Sequence, residues 1–388
     1  MPFAVRAAAL LCLLLAVIAC GKQSDTIVAI APHPRNPDIL YVATNESLYK
    51  TRDGGATWSK MTTDLSSFRV LTLGVDPHSP ANVLAGTMGD AVYKSPDGGQ
   101  SWTPHNGGLK EHISVVNQFV FHPTDPDIIY VATTVGVFRS KDGGRLWKER
   151  MYGMKEVHYV VTLAMDPHNP DVMYAGTTGG VYKTTDGTAH WDRVNNGLIP
   201  KEKLDAAMAL GVNSLVTDPA KPGTVYAGTT NGLFKTTDAA ASWRRIENGL
   251  TDDYVSVLLI DPTNPNILYA GTRKGVHKTT EGGETWGPSN EGLTTLNIRA
   301  MALSPLNPQI VYAGTNGSGL FRSMDGAKTW THVPLTLAPK AAPPARTVQH
   351  SQRLRIDHAS MTIIELTPTK PHPVLFNYVS LLLDDQLI

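Results

Sequence analysis

Ser95-Pro96-Asp97-Gly98-Gly99-Gln100-Ser101-Trp102 recurs, with small changes, along most of the chain. All seven tryptophans, Trp58, Trp102, Trp147, Trp191, Trp243, Trp286 and Trp330, close such a stretch. They follow one another at intervals of 43 to 45 residues, with a single interval of 52. Self-similarity at this period marks stacked units, and four short strands per unit make a propeller blade. The period therefore predicts an all-β fold: a single seven-bladed β-propeller of four-stranded antiparallel blades.

One unit reads most clearly from Val160 to Gly197. Val160–Met165 alternates, Asp166-Pro167-His168-Asn169-Pro170 turns, Val172–Thr177 and Gly180–Thr184 follow, and Trp191–Val194 ends the unit. Period-two alternation bounded by Pro, Gly, Asn and Asp clusters gives four strands. The threonine ending the second strand recurs as Thr44, Thr87, Thr133, Thr177, Thr229, Thr272 and Thr315.

The turn before each tryptophan carries Asp53, Asp97, Asp142, Asp186, Asp238, Glu281 or Asp325. Such a carboxylate can accept backbone N–H groups two residues on, while glycine reaches positive φ freely. The tryptophan then opens the fourth strand and wedges against a neighbouring blade. Asp238-Ala239-Ala240-Ala241-Ser242-Trp243 lacks glycine and Glu281 replaces aspartate, drift that a catalytic or metal site would not tolerate. The boxes read as structural. The first–second turns carry Pro-x-x-Pro after Asp76, Asp166, Asp218 and Asp261, but after His33, His122 and Ser304 in the other units. These side chains all suit a turn that fixes its own backbone. As repeat-equivalent positions on different blades, His33 and His122 are splayed around the ring, so no metal site is expected.

Thirty-four basic and 34 acidic residues cancel, and no basic stripe suggests nucleic acid. The Arg244-Arg245 doublet reads as a solvated strand edge. Arg6 and the apolar run Ala7–Ala19 make residues 1–19 a signal peptide. Val17-Ile18-Ala19-Cys20-Gly21 resembles a bacterial lipobox with Cys20 as the acylated first residue, followed by a tether over 20–25. Cys12 leaves with the signal, so disulfides, cysteine-held zinc, iron–sulfur clusters and c-type haem are excluded together, and no cofactor is implied. The expected location is the bacterial envelope, at the outer membrane or periplasmic face, or the thylakoid lumen of a photosynthetic cell. Membrane contact is through lipid alone. The repeats occupy 26–335. Residues 336–345 read as a Pro/Ala linker, and 346–388 as a tail without repeat or box. Seven complete units let the ring close by contact between the first and seventh blades or through a terminal strand.

Topology puts the first–second and third–fourth turns on one face and the second–third and blade-to-blade loops on the other. The first set is repetitive and the second variable, so binding residues are expected on the second. Its candidates are Arg69, His112, His158, Tyr159, Asp253, Tyr254, Arg273, Lys274 and Asn297, with a helical turn over 200–208 beside them. Charge reversal at the Arg273-Lys274 loop tip, with loss of Tyr159 and Tyr254, is expected to abolish binding and leave the melting temperature unchanged.

The unit V-x-x-L-x-x-D-P-x-N-P…Y-A-G-T…G-V-Y-K-T-x-D-G-G-x-x-W resembles the BNR/Asp-box propellers. It is most similar to the photosystem II stability/assembly factor family and its bacterial relatives, over Thr26–Leu335. The resemblance implies an exported scaffold that binds membrane or envelope protein. It implies an arginine-rich patch as well, where this chain's arginines are scattered. The repeat text is also similar to xyloglucanase-type hydrolases, which implies polysaccharide as the alternative partner. In those, two carboxylates face each other across a cleft between two propellers. Sialidases need an arginine triad and a Tyr/Glu pair, and no Arg-Ile-Pro signature occurs. No enzyme activity is expected; Asp90, Glu156, Asp252 and Asp253 are carboxylates without a frame.

Overall fold

The computed structural model describes residues 26–61, 65, 69–109, 115–154, 159–199, 210–246 and 248–338. Cys20, His112, His158, the signal peptide, the tether, residues 200–208 and everything after 338 lie outside the described residues. Among the described residues, 28 strands form seven antiparallel sheets of four. In the fourth blade these are Val160–Met165, Met173–Thr177, Gly180–Thr184 and Asp192–Arg193. Each blade is one contiguous stretch of chain, so the ring closes by contact between the first and seventh blades.

The first strand of each blade is innermost. The second is buried from end to end in five blades, as in Leu40–Thr44 and Val225–Thr229, because both its faces pack on neighbouring blades. Every tryptophan is at most 5% exposed. The indoles of Trp147, Trp191, Trp243 and Trp330 each donate to a carbonyl of the preceding blade, at His105, Arg150, Val194 and Ser289, over 2.7 to 3.0 Å. Their amides do the same two residues further along, as in Trp191 to Tyr152 at 2.9 Å. The seam repeats this bond: the Trp58 amide donates to Thr336 at 2.9 Å and the Ala338 amide returns to Trp58 at 2.8 Å.

The boxes differ in detail from the sequence expectation. Asp97 accepts from the amides of Gln100 and Ser101, three and four residues on, at 2.8 and 2.9 Å. The amide two residues on, Gly99, donates instead to the Ser95 hydroxyl at 2.6 Å. The reason is backbone: Gly98 and Gly99 both have positive φ, which turns that amide inward. The first of these two residues also points its carbonyl at the preceding blade. There a third-strand cation takes it: Lys50 to Gly98, Lys94 to Gly143, Arg139 to Gly187, Lys183 to Ala239, Lys235 to Gly282 and Lys278 to Gly326, over 2.7 to 2.9 Å. Arg322 to Gly54 completes the circle at the seam. Sequence reasoning missed these seven bonds, although a Lys or Arg stands before the third-strand Ser/Thr in every unit. At the first–second turns the Nδ1 of His33 and of His122 accepts following amides, as the carboxylate of Asp76 does elsewhere.

Two stability predictions arise here. Ala239 and Ala240 sit at φ 57° and 69°, where a Cβ costs roughly 1–2 kcal/mol, partly offset by the freer unfolded chain of glycine. Ala239→Gly should stabilise the protein by about 0.5–1 kcal/mol in urea titration. Ala240→Gly should give little, because its methyl is 1% exposed and packs with Trp243. The second prediction concerns acid. Hydroxyls of Thr57 and Ser242 donating to Asp53 and Asp238 are the largest cause holding these carboxyls at about 2, and Asp97, Asp142, Asp186 and Asp325 are lowered too. Because the folded pKa lies below the unfolded one, this stabilisation is complete above about pH 4 and is lost as pH falls towards 2. Tm should drop steeply across that window, and a flat profile would mean that the box carboxylates do not support the fold.

Candidate functional site: the loop face

The described second–third loops and the blade-to-blade loops meet on one face. Their backbones pair there, as in Thr178 to Tyr159 at 3.3 Å, Thr230 to Gly211 at 2.9 Å and Asn316 to Asn297 at 2.9 Å. On the other face the two kinds of turn pair with each other, as in Gly54 to Asp38 at 3.0 Å. The loop face surrounds the mouth of the central channel.

Each innermost strand carries a bulge next to that mouth, at Val28, Leu71, Asn117, Val161, Asn213, Ser256 and Arg299. Bulges re-aim side chains at ring rims. The Asn117 and Asn213 amides reach the Val160 and Val255 carbonyls of the next blade, at 2.7 and 2.9 Å. Gln118 and Ser214 accept the amides of Leu163 and Leu258. Polar side chains thus satisfy strand edges from the third to the sixth blade. Arg299 alone of the seven bulge residues is exposed. None of these bulges was foreseen, since alternation in sequence does not reveal an inserted residue.

Of the candidates, Asp253, Tyr254, Arg273 and Lys274 come together between the fifth and sixth blades. Arg273 is not a free tip. Its guanidinium contacts Asp252 at 3.2 Å and lies 4.7 Å from the centre of the Tyr254 ring, and its amide donates to the same carboxylate at 3.0 Å. Burial pushes the Asp252 carboxyl up, but the Arg273 bonds and charge with the Tyr254 amide outweigh it, so it sits below the usual range. Reversing Arg273 would set two carboxylates together with one 6% exposed; the expectation that its reversal leaves stability untouched is thereby corrected. Lys274 donates to the Thr251 carbonyl at 2.8 Å. Asp253 pairs with Arg245 at 2.7 Å, and Arg244 with Glu284 at 2.7 Å, so the arginine doublet lies exposed on the outermost strand, as expected, with both guanidiniums paired.

Beneath this cluster His277 is wholly buried, with Nε2 2.9 Å from the Thr251 hydroxyl and burial lowering its pKa. Tyr or Phe fills the equivalent position in the other six blades, at 49, 93, 138, 182, 234 and 321. The remaining candidates are spread out. Tyr159, 49% exposed, opens the fourth blade, Asn297 the seventh, and Arg69 the second, where it donates to Asn45 of the first. The structure gathers one polar cluster and distributes the other candidates around the mouth. Among the described residues no three His, Cys, Asp or Glu side chains are placed to share a metal.

No protein-family model matches the chain, and no curated protein matches it in sequence. Solved structures do. An ancestral GH74 enzyme matches with TM-score 0.65 and 18% identity, over 79% of this chain and 46% of that one. The GH74 xyloglucanase from Xanthomonas campestris matches with TM-score 0.57 and 18% identity, over 82% and 61%. YCF48 bound to D1 peptide matches with TM-score 0.57 and 18% identity, over 77% and 93%. The chain spans about half the length of the first GH74 enzymes it matches, 46% and 54%. At these identities the likeness is one of fold: the chain is a seven-bladed β-propeller of a form that serves enzymes in one group of neighbours and a peptide complex in another.

Proposed function

We propose that this chain is an exported propeller, lipid-anchored through Cys20, that binds protein at a membrane surface as an assembly or stability factor. The observation that carries the reading is the state of three loop-face carboxylates among the described residues. Asp252 is held ionised by Arg273, Asp253 is paired with Arg245, and the Asp90 carboxylate accepts from the Tyr93 hydroxyl at 2.5 Å. Glycoside hydrolysis needs one carboxyl with a raised pKa facing another across the substrate. A lowered, arginine-bound carboxylate suits recognition instead. The likeness to YCF48 bound to D1 peptide, which extends over 93% of that chain, favours the same reading.

The test is a crosslinking pull-down of the acylated protein from its native membranes, compared with Tyr159→Ala/Lys274→Glu. These two side chains are exposed and leave the Asp252–Arg273 pair intact, so Tm should not move. The captured partner should be lost at least tenfold. Retention of the same partner by the variant would refute the face assignment. The second reading, a polysaccharide-binding or polysaccharide-cleaving propeller, rests on the GH74 likeness and would be favoured by turnover of xyloglucan.

A further inference from the structure

We propose that the loop Thr251–Tyr254 is a latch released by mild acid, with His277 as the group that senses it. The latch belongs to the loop face whatever that face binds, so it stands apart from the function proposed above. Two departures from the repeat meet in the sixth blade. His277 replaces the Tyr or Phe of the other six. The second–third tip is also fastened differently. In five blades the amide just after the recurring threonine donates to a backbone carbonyl: Asn45 to Thr26, Thr134 to Val115, Thr178 to Tyr159, Thr230 to Gly211 and Asn316 to Asn297. In the sixth, the Arg273 amide donates to the Asp252 carboxylate at 3.0 Å. A side chain does there what the backbone does elsewhere.

Polar links hold this loop. Lys274 donates to the Thr251 carbonyl at 2.8 Å, the Tyr254 amide to Asp252 at 3.1 Å and the Gly232 amide to the Asp253 carbonyl at 2.6 Å. Arg273 grips Asp252, and Arg245 grips Asp253. The link to the interior is the Thr251 hydroxyl, 2.9 Å from His277 Nε2. Leu250 and Val255 pack into the apolar seam on either side, and the four residues between them hold on through these polar contacts. Segments with few buried apolar contacts open at low cost.

His277 is 0% exposed, and its Nδ1 is buried without a hydrogen-bond partner. The Gly275 carbonyl favours a proton on the ring but makes no hydrogen bond to it, and already accepts the Thr272 hydroxyl at 2.9 Å. Ala270 and Pro288 stand beside it on the neighbouring strands. The charged and titratable groups on the elements packed over it are Asp252, Asp253 and Tyr254 on the loop, Arg273 and Lys274 on the tip, and Arg245 on the fifth blade. Burial holds the imidazole pKa below its usual value; Asp252 pulls the other way but is already bound by Arg273. A neutral ring needs only its bond at Nε2. A second proton would put a charged N–H at a buried atom with nothing to receive it. Opening the loop resolves this: Thr251 leaves, water reaches the imidazolium, and Asp252 lets go of the Arg273 amide. Because the closed form has the lower pKa, closure is at full strength above about pH 6.5 and weakens as pH falls below it. One proton caps the change between pH 7.5 and 5.0 at about 30-fold.

Hydrogen exchange resolved to single amides in the full chain tests the latch without any ligand. The Gly232, Tyr254 and Arg273 amides, whose acceptors belong to the loop, should lose protection at least fivefold between pH 7.5 and 5.0, after correction for intrinsic rates. The Thr134, Thr178 and Asn316 amides should keep theirs within twofold. His277→Phe keeps a buried ring and removes the titration, so its three latch amides should hold steady across the same range. His277→Tyr, the residue at 49, 93 and 182, takes its place if the phenylalanine variant does not fold. A wild-type loss below fivefold, an equal loss at the three control amides, or an unchanged loss in the variant overturns the proposal.

Discussion

Trp191→Ala should remove about 4 kcal/mol from the unfolding free energy, within the roughly 3–5 kcal/mol usual for deleting a buried aromatic ring. Trp191 is 1% exposed and packs with Tyr130 of the third blade and with Leu163, Met173 and Tyr182 of the fourth. Truncation opens a cavity between two blades that are each fixed by their other neighbour, so the walls cannot collapse into it. It also leaves the Arg150 carbonyl without its 3.0 Å indole donor. The control lies one contact away. Tyr152, whose carbonyl receives the Trp191 amide, has a side chain 76% exposed, and Tyr152→Ala should stay within about 0.5 kcal/mol. Equilibrium urea unfolding of the two variants gives the comparison. A loss below about 1.5 kcal/mol for Trp191→Ala would mean that the tryptophan is not the wedge between blades. Exchange protection should fall in both the third and fourth blades, because the cluster belongs to both.

The tryptophan shows why the architecture was readable. It needs burial on one side, a tight turn on the other and a fixed place in every unit, and all three constraints leave residue types behind at a constant period. The box carboxylate was legible as a turn-former, but its partners were displaced by one or two residues. Which amide points inward depends on two consecutive positive φ values, and residue type hints at these only where both are glycine; Thr188, Ala239, Ala240 and Ala327 adopt them as well. The cation ring from Lys50 to Arg322 left a plain trace in the sequence. It went unread because its acceptor is a backbone carbonyl about fifty residues away in the next blade, an atom that every residue has.

The loop face was legible as a face and far less so as a site. Topology alone sorts repetitive turns from variable loops, and the backbone pairing of those loops follows it. Whether Arg273 is free is another kind of question. It depends on Asp252, 21 residues earlier, reaching across from a blade-to-blade loop, and on Tyr254 lying under the guanidinium. No periodicity encodes such a contact. His277 is the exception that a repeat alignment exposes: a histidine where six blades place Tyr or Phe, buried under the polar cluster of Asp252, Tyr254 and Arg273.

Gly314→Val should cost about 3 kcal/mol, the upper end of ordinary overpacking, and should act first at the seam. A Cβ at 314 would meet the Ile27 side chain at 2.6 Å. The same clash recurs at Gly86 against Val116, Gly176 against Val212, Gly228 against Val255 and Gly271 against Ile298, at 2.6 to 2.8 Å. Each second-strand glycine therefore makes room for the first core residue of the following blade. Alanine fills the position in the first and third blades, at Ala43 and Ala132, so a single methyl can be housed and Gly314→Ala should cost nearer 1 kcal/mol. Valine adds two further carbons against a neighbour that has no free side to retreat to. The seam differs from the other six junctions in one respect: no peptide bond joins its two blades, so the contact is all that holds them. Hydrogen exchange in Gly314→Val should show Ile27–Pro32 and Val311–Thr315 losing protection ahead of the rest of the ring. Ile27→Ala removes the Cγ2 that the added side chain would meet and leaves only the Cβ, so the double variant should be more stable than the two separate losses predict, by at least about 1 kcal/mol of coupling. Strict additivity would mean that the two residues do not touch and that the ring closes in some other way.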